Sequence, residues 1–240
     1  MRPDLQTSVR RVYTLLRAGI RSGTLAPDAQ LVESEVAALM DASRNSVRRA
    51  LQMLAAEGLV SREPRQGTSI VRGIVRVSLD QRTVPDQSSA LWRGGNGPLY
   101  RSELLECREV TPSEYVRTRL ALRSATVTMS EHLVYLLNEP VSVCLVYTPV
   151  GLAAENLQLE NRNRACAFRH RFGVELGRHE DTVEAVACEA RTGTLLGVRA
   201  GSPILLRETL AVGADGVPRE LTYKYNRGDR VAVVTVTEGP

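Results

Sequence analysis

The stretch that most limits how this chain can fold is LVESEVAALMDASRNSVRRALQMLAAEGLVSREPRQGTSIV, residues 31 to 71, because two helical periodicities and two strand-like runs follow one another at short spacings. Leu31, Val36 and Leu39 mark a short helix, and Asp41-Ala42 makes a turn. Ser43 then suits a helix N-cap, since its hydroxyl can accept a bond from a free N–H of the first turn. Val47, Ala50, Leu51 and Leu54 form one apolar stripe, which leaves Arg44, Asn45, Arg48 and Arg49 on the exposed side. The helix should stop at Glu57-Gly58. Leu59–Arg62 and Ser69–Val71 then read as two strands joined by a basic, glycine-containing tip, Glu63-Pro64-Arg65-Gln66-Gly67-Thr68. Upstream, Val9, Val12, Tyr13, Leu16 and Ile20 recur at helical spacing, so an amphipathic first helix is expected to end near Gly23, with Thr24 to Gln30 as a turn.

A short helix, a tight turn, a capped basic helix and a hairpin make a winged helix-turn-helix. The DNA major groove admits one helix and reads it through side chains near its N-terminus. A small residue at the hairpin tip allows close approach to the minor groove, whose negative potential suits Arg65. Charge agrees with this reading. Residues 1 to 76 hold twelve arginines against seven acids, an excess of +5 in a chain whose net charge is +4.

The same residues resemble the GntR family of bacterial regulators, whose pattern runs L-x-E-x-x-L-A, then S-R-x-x-V-R-x-A-L-x-x-L-x-x-x-G-L-V, then a G-T wing. The resemblance covers about the first 72 residues. It implies that Arg44 and Arg48 enter the major groove, that Ser43, Asn45 and Ser46 touch groove or phosphate, and that Gln66-Gly67 is the wing tip. Two departures stand out: Ser34 replaces an arginine frequent in the second helix, and Arg49 replaces the usual glutamate or glutamine. The first removes a base contact and the second adds a phosphate contact.

Between Arg76 and Pro98 the periodicity fades into SLDQRTVPDQSSALWRGGNGP, which reads as a linker over residues 77–98. Trp92 within it is either an anchor onto a neighbouring domain or a lid over a pocket. From Leu99 strands and helices mix: SELLECREV as strand, PSEYVRTRLAL as helix, and two strands around a turn at Leu137-Asn138-Glu139-Pro140. A helix from Asn163 to Phe172 is stopped by Gly173. EDTVEAVACEAR as strand, a short helix Thr192–Val198, and PILLRETLAVG, RELTYKYN and RVAVVTVTE as strands complete the chain, with a turn at Asp215-Gly216. The expected fold class is α+β: an N-terminal winged helix-turn-helix over residues 1–76 and, over 99–240, a C-terminal antiparallel sheet with packed helices.

The second half resembles the UTRA ligand-sensing domain of the HutC branch, which has a chorismate-lyase-like fold. The matching strings are NEPVSVCLVYTP, RFGVEL, TLLGVRAGSPILLRETL, DGVPREL and YNRGDRVAVVTV. In UTRA domains that take anionic ligands, the strand before the hairpin commonly offers an R-x-R pair, and the matching positions here are His132 and Val134. A glutamate frequent on the next strand is matched by Cys144. The resemblance therefore implies a neutral or largely apolar effector, with Tyr147, Glu220, Tyr225, Asn226 and Arg227 as further contacts; Arg227 and Asp229 serve equally well as a mutual brace. The string LVESEVA is closer to the FadR branch, whose sensor is wholly helical and often metal-binding, but the strand-rich second half argues against it.

Other classes find little support. The four cysteines, Cys107, Cys144, Cys166 and Cys188, form no close-spaced pair and read as buried thiols; His132, His170 and His179 are equally scattered, so no metal or other cofactor is expected. No nucleophile–base pair or phosphate loop supports a lyase-fold enzyme. The first residues lack a signal-peptide core and no run approaches the ~20 apolar residues of a membrane span, so the expected place is the cytoplasm. The reading is a repressor, homodimeric on an inverted-repeat site in double-stranded DNA, released by a small-molecule effector.

Overall fold

The computed structural model describes residues 9–63, 67–71, 73–78, 100–151 and 164–235. The chain divides into two compact units, Met1–Arg76 and Val77–Pro240.

In the first unit, α1 (Val9–Ser22), α2 (Glu33–Leu39) and α3 (Arg44–Ala56) precede the hairpin β1 (Val60–Glu63) and β2 (Gly67–Ile70). Val12, Leu16 and Ile20, one face of α1, bury themselves against the Val47, Ala50, Leu51 and Leu54 stripe of α3. Ser43 caps α3 as expected, its Oγ accepting from Ser46 N at 3.1 Å. Gly58, at φ +69°, takes the left-handed turn that ends the helix, and Leu59 N donates back to Leu54 O at 3.0 Å. Glu57 clasps α1 by accepting from Tyr13 Oη (2.5 Å) and Arg17 Nε (3.0 Å).

The end of the expected turn does more than turn. Asp28 N donates to Ile70 O (2.7 Å), Ile70 N to Ala29 O (3.1 Å), and Leu31 N to Thr68 O (2.7 Å), so residues 28–31 line the free edge of β2. Four residues are too few for a period of two to show. A further strand, β3 (Val75–Ser78), runs across the boundary between the units, so the first two residues of the expected linker are extended strand; Trp92 lies outside the described residues.

The second unit is built on β4 (Tyr100–Val110), β5 (Val127–Leu136), β6 (Glu139–Thr148), β7 (Leu176–Ala187), β8 (Pro203–Gly213) and β9 (Pro218–Arg227). They form a six-stranded sheet in the order β4-β5-β6-β9-β8-β7, every neighbour antiparallel. Leu137 and Asn138, both at positive φ, form the two-residue β5–β6 turn. Helices α4 (Glu114–Arg119), α5 (Arg164–Phe172) and α6 (Ala190–Leu196) and the short strand β10 (Val231–Val234) complete it.

Side chains alternate across a strand, so the sheet has two distinct faces. On one, Val116 and Leu120 at α4 pack with Val127, Leu210, Val212 and Leu221, and Leu196 of α6 packs with Leu133, Val143, Cys188 and Ile204. Two expectations are corrected here. The strand ends at Ala187 rather than running through Arg191, because Glu189 caps α6 by accepting from the backbone N–H groups of Arg191 and Thr192. Cys107 is exposed on the edge strand β4, whereas Cys144 and Cys188 are buried; the Cys166 side chain is outside the described residues.

Candidate functional site

The N-terminal half of α3 presents a polar surface because the apolar stripe faces α1. Ser43, Arg44, Asn45, Arg48 and Arg49 are all exposed, and Ser46 is half-buried with its hydroxyl 2.9 Å from that of Ser43. Gly67, at φ +92°, opens β2 at the wing, and a Cβ there would sit 3.4 Å from Gln30 Oε1; Arg65 and Gln66 lie outside the described residues.

These arginines are not equivalent. Glu33, in the first turn of α2, accepts from Arg48 Nη2 at 3.1 Å through one carboxylate oxygen and from Arg62 Nη2 at 2.9 Å through the other. It ties the recognition helix to the wing strand β1. Arg44 and Arg49 make no ion pair among the described residues. Glu33 is a residue the sequence reading missed, since a pair fifteen positions apart leaves no local signal.

In the second unit, the face of the sheet opposite α4 and α6 is buried yet polar. Register places His132 beside Cys144 and Cys144 beside Lys224, with Val134 beside Ser142 and Ser142 beside Asn226. Ser130, His132, Val134, Ser142, Cys144, Thr148, Thr222 and Asn226 on this wall are all buried. The wall also holds Glu220, which Arg171 of α5 reaches at 2.8 Å, and Arg207, bonded to Asp181 at 2.7 Å. Burial works against the Asp181 carboxylate, but bonds from Arg207 and Thr209 outweigh it and hold its pKa below the ordinary value. Burial first, and the Arg171 charge second, push the His132 pKa down, so its ring is neutral at pH 7; its Nε2 lies 3.1 Å from Ser130 Oγ.

The structure therefore gathers His132, Val134, Cys144, Glu220 and Asn226 on one wall and separates the other expected contacts from it. Tyr147 packs on the α4 side, edge-on to Tyr223 with ring centroids 6.3 Å apart, and Tyr225 packs on the α6 side. Arg227 is a brace: it bonds Asp229 at 2.7 and 3.1 Å and reaches the carbonyls of Pro140 and Leu196. Asn226 spends its amide within the sheet, accepting from Ser142 Oγ (2.8 Å) and donating to Leu205 O and Lys224 O (both 3.1 Å). The wall is more polar than the substitutions at 132, 134 and 144 suggested, because Arg171, Glu220, Arg207 and Asp181 arrive from other elements. Arg171 gave no signal in the sequence, where Arg169-His170-Arg171 reads only as the basic last turn of a helix.

A winged helix with a capped, arginine-bearing recognition helix, followed in one chain by an antiparallel sheet with a buried polar wall, defines a DNA-binding regulator with a sensor domain. Comparison with known proteins gives the family. Residues 8–70 match the bacterial regulatory proteins of the gntR family and residues 96–232 match the UTRA domain, so the chain belongs to the gntR-type regulators that carry a UTRA domain. It is a transcriptional regulator, not an enzyme, and its parts bind DNA and a small-molecule effector. It is similar to the HTH-type transcriptional repressor NagR of Bacillus subtilis, 25% identical over 229 residues, which cover 93% of this chain and 92% of that protein. The HTH-type regulator Rv0792c of Mycobacterium tuberculosis is 24% identical over 226 residues, 88% of this chain and 76% of that one. Among solved structures, PhnF from Mycobacterium smegmatis superposes with a TM-score of 0.61 at 22% identity, over 95% of this chain and 100% of that one, which shows the shared fold. The sheet-rich second unit excludes the wholly helical sensor of the FadR branch. Among the described residues no helix is long and apolar enough to cross a membrane.

Proposed function

We propose that this chain is a repressor that grips an inverted-repeat operator as a two-fold dimer and releases it when an effector occupies the buried wall of the second unit. The observation that carries the reading is the N-terminal half of α3, where Arg44, Asn45, Arg48 and Arg49 are exposed on a helix that Ser43 caps and that β1 and β2 follow as a wing. Arg44 and Arg48 read base edges, Ser43, Asn45, Ser46 and Arg49 hold groove or phosphate, and Arg65, Gln66 and Gly67 follow the neighbouring minor groove or backbone. One short helix reads too few base pairs for useful specificity, and a C2 pair doubles them.

The effector is a small polar molecule with at most one charge, contacting His132, Val134, Cys144 and Glu220. Two observations support this. Positions 132 and 134 hold no arginine fork, and Arg171 and Arg207 are each already matched by a carboxylate, so a sugar phosphate or dicarboxylate would bring uncompensated charge into a buried site. The repressor relative NagR, similar over nearly the whole chain, supports repression as the outcome. The effector acts only through a difference in affinity between DNA-competent and DNA-incompetent states. The test is selection of genomic fragments by the full chain, followed by analytical ultracentrifugation on the selected duplex. Two chains per inverted repeat, and marked loss of affinity when one half-site is scrambled, is the expected result; one chain per duplex with no effect of the second half-site refutes it.

A further inference from the structure

The sheet wall and α5 meet at a buried ion pair that the sequence did not foretell. Arg171 Nη1 bonds Glu220 Oε2 at 2.8 Å, with the two side chains only 9% and 12% exposed. The guanidinium also lies near the Phe172 ring, its Cζ 5.2 Å from the centroid. Its Nε is fully buried and has no hydrogen-bond partner among the described residues. A guanidinium cannot escape this by losing its proton, so the uncompensated N–H is a standing penalty that an acceptor from outside would relieve.

Guanidinium geometry says which acceptor. A carboxylate docks on the edge formed by Nε and Nη2 through two parallel, charge-assisted bonds. Glu220 takes Nη1 and leaves Nε without an acceptor. Glu220 itself is fixed, accepting also from Thr222 Oγ1 at 3.2 Å, so it is not placed to swing across to Nε while keeping both bonds. On the same face of the sheet His132, which feels the Arg171 charge, lies 3.1 Å from Ser130 Oγ, with the apolar Val134 and Val146 at adjoining register positions. A dianion would find no second arginine at 132 or 134, and Arg207 on the same wall is held by Asp181.

We propose that Arg171, oriented by Glu220, is the effector-recognising cation of this chain, and that the effector is a small monocarboxylate whose carboxylate docks on the Nε edge while its body lies against Ser130, His132, Val134 and Val146. The proposal rests on the reading of the wall as the effector site. It moves the anion-recognising arginine from the β5 strand, where the family resemblance looks for it, to α5.

The test uses the full chain, isothermal titration and thermal shift. The probes are butyrate and benzoate, each against its amide, with inorganic phosphate and phenyl phosphate as dianionic controls. Both carboxylates bind, and their amides bind about tenfold or more weaker, the difference a charge-assisted bond makes. Two variants then act in opposite directions. Arg171→Lys keeps the charge but loses the fork, and weakens carboxylate binding; Glu220→Gln keeps a hydrogen-bond acceptor for Nη1 but removes the negative charge that repels the incoming carboxylate, and tightens it. A merely structural ion pair, broken from either side, would move both variants the same way. Equal binding of amide and acid, tighter binding of phosphate or phenyl phosphate, no binding of any carboxylate at millimolar concentration, or the same sign of effect in both variants overturns the proposal. Amide binding lost in His132→Ala but indifferent to Arg171→Lys would keep the wall as the effector site and refute only the role of Arg171.

Discussion

Glu33→Gln tests how the recognition surface is poised before DNA arrives. Arg48 and Glu33 lie 3.1 Å apart with side chains 55% and 26% exposed, and Arg62 shares the same carboxylate at 2.9 Å. At that separation the Coulomb energy of one pair is about 1.3 kcal/mol in the dielectric of water. After side-chain entropy and screening, an exposed pair of this kind is worth ~0.2 to 1 kcal/mol. Arg48 must surrender that amount to reach a guanine, a contact that returns ~1 to 3 kcal/mol. Glu33→Gln therefore tightens operator binding by up to about fivefold from Arg48 alone. It also removes a negative charge from the proposed DNA-binding face, which steepens the log K against log salt slope by up to about 0.9. That second gain is blind to sequence, so random DNA profits at least as much as operator and the specificity ratio does not rise. Fluorescence anisotropy on labelled operator and scrambled duplexes across a salt series reads all three quantities. Weaker operator binding with random DNA unchanged would refute the reasoning, because it would mean that Glu33 aims Arg48 at its base rather than competing for it.

Arg44→Ala should cost ~1 to 3 kcal/mol of operator affinity, and Arg48→Ala less by the ~0.2 to 1 kcal/mol that the Glu33 pair already claims; equal losses in a titration at fixed salt would show that the pair has no weight. Arg49→Ala should weaken operator and random DNA alike and flatten the salt slope by about 1. Leu54→Ala, at a fully buried position of α3, should destabilise the first unit by ~2 to 5 kcal/mol in denaturant titration, whereas Met53→Ala beside it, 44% exposed, should stay within ~0.5 kcal/mol. His132 has a folded pKa below its unfolded value, so between the two the unfolded chain holds a proton the folded chain does not: stability rises with pH across that window and falls as pH drops below about 6.5. His132→Gln should flatten that part of the melting-temperature profile, and a profile unchanged by the substitution would place the acid sensitivity elsewhere.

What the sequence reveals and what it hides follow different physical ranges. The Ser43 cap, the stripe from Val47 to Leu54 and the stop at Gly58 are readable because each depends on residues within one or two helical turns. The error at α6 has the same local origin: EAVACE keeps alternating past Ala187, and nothing before Glu189 signals that its carboxylate will turn back to cap a helix. The extra wing edge at residues 28–31, the Glu33 clasp and the Arg171–Glu220 pair join positions that only tertiary structure brings together.

The sensor sheet shows the deeper limit. A period of two states which residues share a face of a strand but not which face the helices will cover. His132, Cys144 and Asn226 on the one hand and Tyr147 and Tyr225 on the other are not sorted into open and helix-covered faces until α4 and α6 are seen to occupy the tyrosine side. Once those helices bury one face with apolar side chains, the polar residues buried on the other need a different reason to be there. A buried hydroxyl, imidazole or guanidinium is tolerated only when something answers its hydrogen bonds. Ser142 answers Asn226, Thr209 and Arg207 answer Asp181, and Ser130 answers His132. Arg171 Nε is left without an acceptor among the described residues, and that buried N–H is what the proposed carboxylate would answer.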